Sequence, residues 1–216
     1  MTLFEESLGL VEYLGELKTA FLSEEKPSVQ VSLIRSALEK ILSDQQLLKR
    51  ILERLAHDIH FVREQAGNVF NNEVILWRDP SPGFSLRMQI WAEGAESFIH
   101  DHNGFGVLGC WLGRVWVENY QVVEKTGDKV KIQLKEKIKL TLGKTALIKA
   151  GEEGIHRISW EPGEMAVTLG AYSRVESGRN YILGYELESG RTWKIYHPSR
   201  IQRLWAKKLL AFLEQD

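Results

Sequence analysis

With 216 residues, 44% of them hydrophobic and seven of them Trp, the chain has enough apolar material to bury one substantial core. Its 28 Lys and Arg balance 29 Asp and Glu, and a formal net charge of −1 gives no field that draws nucleic acid or an anionic membrane. Cys110 has no second cysteine for an internal disulfide, acidic Glu5 and Glu6 stand where a signal peptide would be basic, and no apolar run approaches the roughly 20 residues of a membrane span, so a cytoplasmic protein is expected.

Residues 1 to about 65 carry a helical period. Thr2-Leu3-Phe4-Glu5 resembles a capping box, and Phe4, Leu8, Val11, Leu14, Leu17 and Phe21 recur at steps of three and four, which predicts an amphipathic helix. Lys26-Pro27-Ser28 ends it and starts a second, with Val31, Ile34, Leu38, Ile41 and Leu42 on the buried face. A further box, Ser43-Asp44-Gln45-Gln46, opens a third helix through Leu47, Leu48, Ile51, Leu52 and Leu55. All three read as packing elements. His57 and His60 have a spacing that permits chelation, but at the end of a charged helix a solvated or capping role is the simpler reading.

From Glu73 the period becomes alternating. Val74 to Trp77 is a short apolar run, Arg78 to Gly83 a turn, and Phe84, Leu86, Met88 and Ile90 then alternate with Ser85, Arg87, Gln89 and Trp91. A strand through His100 and His102 precedes a turn at Asn103-Gly104. Arg114 to Glu124 and Lys129 to Leu142 read as a hairpin with one wet face, turning at Thr126-Gly127-Asp128. Further strands are expected at Thr145 to Lys149, Ile155 to Trp160, Glu164 to Tyr172, Asn180 to Glu188 and Thr192 to His197, with a turn at Ser189-Gly190. Many short strands at roughly ten-residue spacing indicate a sandwich or barrel. From Pro198 the helical period returns in Ile201, Leu204, Trp205, Leu209 and Phe212, which predicts a terminal helix docked on the outside. One domain is expected, with helices over 1–65, a barrel over 70–198 and a helix over 199–216.

Side chains on a strand alternate faces, so His100 and His102 point one way and Ile99 and Asp101 the other. Two imidazoles on one face make half a metal site. His156, placed in a later strand, is the best candidate for a third ligand, and three neutral nitrogens leave the open positions that a catalytic metal needs. The bland alternative is a pair of polar residues on a wet strand face.

The run from Gly94 to His100-x-His102, Gly106 and Gly113 is similar to the first motif of the cupin superfamily, with Gly106 where that motif has Glu. Gly143, Gly151, His156 and Trp160 resemble the second motif more loosely. Among cupins, His100-Asp101-His102 with His156 resembles the cysteine dioxygenase family of thiol dioxygenases. Phe84-Ser85-Leu86 through Ile90-Trp91-Ala92-Glu93-Gly94 is similar to that family's strand leading into its first ligand. Val167-Thr168-Leu169-Gly170-Ala171-Tyr172-Ser173 resembles the segment carrying its active-site tyrosine. The resemblance spans roughly residues 70 to 200. It implies a mostly β fold, a cupin double-stranded β-helix or jelly-roll barrel preceded by a helical segment and closed by a C-terminal helix, as a monomer or homodimer. It also implies Fe(II) held by His100, His102 and His156, with a small thiol and O2 as substrates, a sulfinate as product, and Tyr172 beside the metal as a hydrogen-bond donor. No nucleic acid or membrane is implied as a partner.

The sequence departs from that family at several points. Val107 or Leu108 replaces the cysteine that cross-links to the tyrosine in animal enzymes, and Cys110 reads as core. Gly170 stands where that family has a histidine two residues before the tyrosine, and Thr168 where it has that histidine's serine partner. The arginine that grips the substrate carboxylate falls at Glu73 or Val74. Arg87, on one strand face with Gln89 and Trp91, which by resemblance line the substrate pocket, is a candidate substitute, as are Arg179 and Arg78. Trp91 reads equally as pocket lining or barrel core, and Tyr172 as core or metal neighbour. Asp101, facing away, is expected to fix a loop or backbone; Arg157 to pair with a carboxylate; and His197 to have no catalytic part. A three-histidine dioxygenase of another small molecule, and a metal-binding cupin that senses or stores a ligand, are the alternatives.

Overall fold

The structure is a computed structural model that describes residues 9–65, 68–79, 83–93, 95, 98–127, 129–174 and 178–213. The Thr2–Glu5 capping box, Phe4, Leu8, Pro80 to Pro82, Gly94 and Asp128 lie outside the described residues.

Among the described residues four helices come first: α1 (Val11–Phe21), α2 (Pro27–Ser43), α3 (Gln45–His57) and α4 (Ile59–Glu64). Pro27 sits in the first turn of α2, where its missing N–H costs nothing. The cap of α3 falls one residue later than the box predicts. Asp44, not Ser43, accepts from Leu47 N at 2.9 Å, because Ser43 Oγ donates back to Lys40 O at 2.6 Å. Asp58 ends α3 and opens the short α4 by accepting from His60 N and Phe61 N. His57 and His60 are both exposed.

Eleven strands follow among the described residues: β1 (Glu73–Arg78), β2 (Phe84–Trp91), β3 (Ile99–His102), β4 (Gly106–Leu112), β5 (Arg114–Thr126), β6 (Lys129–Thr141), β7 (Thr145–Ile148), β8 (Gly151–Ser159), β9 (Ala166–Ser173), β10 (Ile182–Tyr185) and β11 (Thr192–Ile195). They form two sheets, β1-β2-β9-β4-β7 and β11-β10-β3-β8-β5-β6, with every ladder antiparallel. The mostly β class with helices at both ends is therefore as expected.

Strand β4 is absent from the sequence reading, and its burial explains why. Gly106 to Trp111 are all buried, so there is no polar alternation to find. The five-stranded sheet lies between two apolar layers. Val107 and Trp111 of β4, Leu86 and Met88 of β2, and Leu169 and Ala171 of β9 pack with Leu17, Ile34, Leu38, Ile41 and Ile51 of the helices. Leu108 and Cys110 turn the other way, to Val115, Val117 and Ile158 inside the barrel. Phe21 of α1 stacks on Phe84 of β2, ring centroids 4.9 Å apart. Gly109 admits α2, because a Cβ there would run into the Leu42 side chain.

Helix α5 (Pro198–Leu213) forms where expected but is poorly covered: Trp205, Leu209 and Leu210 are exposed. No helix among the described residues is long and apolar enough to cross a membrane.

Gly109→Val, which places a branched side chain against Leu42, is expected to lower stability by about 1–3 kcal/mol, read as an earlier urea midpoint at unchanged m-value.

Candidate metal centre

Strands β3 and β8 put His100 directly opposite His156, and a bulge between His100 and His102 sets the latter against Gly151. The three ring centroids are 4.8 to 4.9 Å apart. Their ligand atoms all lie within 4.8 Å of one another, the one such trio of potential metal ligands among the described residues. His100 Nδ1 lies 2.9 Å from the Phe98 carbonyl, which can only accept, so Nδ1 carries the proton and Nε2 the lone pair. His102 Nε2 and His156 Nδ1 are buried with no hydrogen-bond partner. Orphaned buried nitrogens are costly, and a cation shared by three lone pairs removes that cost. Burial first, and for His102 and His156 the neighbouring imidazoles next, lowers all three below the ordinary histidine range and keeps them in the neutral form a metal requires.

Tyr172 lies flat on His102, centroids 5.1 Å apart and planes at 11°. Two glycines make that possible. A Cβ on Gly106, its register partner on β4, or on Gly170 would collide with the phenol ring. The Arg87 guanidinium lies over the same ring, 5.7 Å from its centroid. The hydroxyl meets no acceptor among the described residues, and burial raises its pKa far enough to keep it a neutral donor.

His100, His102, His156 and Tyr172 line a cavity of about 270 Å³ with Arg87, Gln89 and Trp91 of β2, Glu73 and Arg78 of β1, and residues 179–182 ahead of β10. The arginines divide differently than expected. Arg87 reaches the cavity but is bound to buried Glu73 at 3.1 Å and to Ser85 Oγ at 3.0 Å, so its charge is largely compensated. Arg179 also lines the cavity, but its guanidinium is bound to fully buried Asp101 at 2.9 Å. Arg78 makes no hydrogen bond or ion pair among the described residues, and burial and the nearby Arg87 lower its pKa.

Asp101 fixes neighbouring backbone, accepting from Leu183 N at 2.8 Å and from the Tyr185 hydroxyl at 3.4 Å. Trp91 is both core and lining, packing 5.3 Å from Trp160. Thr168 does not relay to Tyr172; its hydroxyl joins Trp91 and Gln89. His197 lines the cavity mouth, with Nδ1 2.8 Å from Ser199 Oγ. Cys110 is buried with its thiol pushed up to about 11 by that burial, so it is protonated core.

Arg157, on the opposite face of β8 from His156, binds Glu118 through two nitrogens at 2.9 and 2.6 Å. Ser159, Tyr120 and Lys137 bind the same carboxylate. Sequence reasoning anticipates the carboxylate partner but not its identity. Glu118 opposes Arg157 in the β5–β8 register, yet in sequence it is one acidic residue among many on a long hairpin.

No family model matches the chain, and no curated protein matches it. Solved structures do, each over about half of the chain. A cupin-like protein of Thermotoga maritima is 19% identical, with 50% of this chain and 71% of that one covered and a TM-score of 0.36. Hydroquinone 1,2-dioxygenase of Sphingomonas sp. TTNP3 is 11% identical over 51% and 70%, at 0.37. The dimethylsulfoniopropionate (DMSP) lyase DddQ of Ruegeria pomeroyi is 10% identical over 51% and 49%, at 0.36.

Two outcomes are expected. His156→Ala should bind Fe(II) or Co(II) at least about 100-fold more weakly than the unmodified protein in equilibrium dialysis. Glu118→Gln should cost about 1–3 kcal/mol near neutral pH. Burial by itself would raise the Glu118 pKa, but hydrogen bonds from Lys137 and Arg157 overcome it and bring it to about 2. Its contribution is therefore complete above the unfolded carboxylate value and fades as pH falls toward 2, so denaturation curves of the two proteins should converge on acidification.

Proposed function

We propose that the protein is a non-haem Fe(II) dioxygenase that converts a small thiol to its sulfinate. One observation carries the reading: three neutral imidazoles, two buried and one half-buried, converge in one cavity with an unpaired phenol packed on one of them. The sequence resemblance to the cysteine dioxygenase family agrees with it. The reaction R–SH + O2 → R–SO2H oxidises sulfur by four electrons and reduces O2 by four, with both oxygens retained and no further reductant required.

His100, His102 and His156 would hold the iron. When bound, that iron supplies open positions for the thiol and O2 and the redox chemistry that joins them. The protein's own part is positioning. Tyr172, kept protonated by burial, offers its O–H to an oxygen beside the site. Gly106 and Gly170 fix the height of its ring. Ion pairing of Arg87 with Glu73 keeps the guanidinium against that ring rather than in bulk water. Trp91 and Leu108 wall the cavity with apolar surface that excludes water. The reduced, buried state of Cys110 suits a cytoplasmic setting.

Oxygen uptake by anaerobically Fe(II)-loaded protein tests this, with cysteine, 3-mercaptopropionate and cysteamine offered separately. Uptake with one of them, matched by sulfinate formation and abolished in His156→Ala, is the expected result. Stoichiometric iron with no uptake from any of the three overturns it. With an active thiol, Tyr172→Phe should lower kcat by about 100-fold while metal content stays unchanged.

A further inference from the structure

Trp91, Thr168 and Gln89 form a chain of hydrogen bonds whose direction follows from the chemistry of its members. The indole Nε1–H of Trp91 can only donate, and it lies 3.0 Å from Thr168 Oγ1. The Thr168 hydroxyl therefore accepts there and spends its single proton on Gln89 Oε1, also at 3.0 Å. All three side chains are buried. The carboxamide of Gln89 is thus held in one of its two orientations, carbonyl toward Thr168 and NH2 away from it. Those two N–H bonds meet no acceptor among the described residues.

Gln89 lines the cavity. It is the next residue on the same face of β2 after Arg87, roughly 7 Å along the strand. Arg87 is committed to Glu73, so Gln89 offers a fixed hydrogen-bond donor that no protein group uses. The β2–β9 register builds the device, because Gln89 and Thr168 are direct cross-strand partners and Trp91 is the next residue on the Gln89 face. A ligand that seals the cavity strips water from this amide. Only an oxygen acceptor on the ligand restores its hydrogen bond.

We propose that Gln89, oriented by Trp91 and Thr168, is the specificity-determining donor of this cavity, and that it selects small thiols bearing an oxygen acceptor over thiols that lack one. Thr168 is a positioning residue. The proposal rests on the thiol reading above, and its test separates the two.

The experiment uses Co(II)-loaded protein without turnover, following the thiolate-to-metal charge-transfer band as 2-mercaptoethanol or ethanethiol is added. These probes differ only in the hydroxyl. The unmodified protein should bind 2-mercaptoethanol about 10–100-fold more tightly than ethanethiol, the cost of leaving a buried donor unpaired. In Gln89→Leu the ratio should fall to within about threefold. Thr168→Val, whose side chain neither accepts nor donates, should collapse the ratio similarly, and Thr168→Ser should restore it. Recovery with Ser distinguishes amide orientation from general loosening of the core. Should Thr168→Val fail to fold, Gln89→Leu decides alone. A ratio that survives in Gln89→Leu overturns the role of Gln89 and leaves the thiol reading standing. No band with either thiol overturns both.

Discussion

The site depends on one register: the pairing of His100 with His156 across β3 and β8. Side chains alternate along a strand, so a slip of one residue on either strand would turn that strand's histidines to the other face of the sheet. What holds the register is on that other face. Ile99 and Ile155 pack with Tyr120, Ile132 and Tyr185. Asp101, between the two β3 histidines, ties down β10 and Arg179, and Glu118 gathers Arg157, Ser159 and Lys137 two strands away. The histidines contribute little to their own placement. They are carried inward by an apolar and ionic framework that they do not touch.

The five-stranded sheet solves a related problem. A cavity that presents Arg87, Gln89 and Tyr172 cannot also serve as the main hydrophobic core. Strands β2 and β9 divide the labour by parity: Leu86, Met88, Leu169 and Ala171 face the helices, and the polar set faces inward. The helices α1 to α4 thus supply the burial that lets the opposite face be polar. Two of the inward polar groups are matched by others, Arg87 by Glu73 and the Gln89 carbonyl by the Thr168 hydroxyl, which lowers the cost of placing them inside the fold.

Much of this is legible in the sequence because it is periodic. The helical stretch, the change to alternation at Glu73, and the shared face of His100 and His102 follow from local spacing, whereas the expectation for Tyr172 comes only from the resemblance. Strand β4 is not legible, because a strand buried on both faces carries no alternation. The cap of α3 is displaced by one residue because Ser43 bonds back into its own helix, a choice that spacing does not encode. The fate of each arginine is a tertiary fact. Arg87, Arg179 and Arg157 lie at equivalent polar positions in sequence. Glu73, Asp101 and Glu118 become their partners only once the sheets form.

The departures from the thiol dioxygenase pattern are connected rather than independent losses. Glu73, one of the two positions at which the resemblance would put a substrate-binding arginine, binds Arg87 from the neighbouring strand. Arg87 in turn lies over Tyr172, and the ring has room to lie flat because positions 106 and 170 are both glycine. With no histidine at 170, Thr168 has no relay partner on its own strand and turns to Trp91 and Gln89 on β2. Carboxylate, arginine, glycine and threonine therefore change together. They leave a cavity in which Arg87 and Glu73 satisfy each other beside the stacked phenol, while Arg78 lines the same cavity with no ion pair among the described residues.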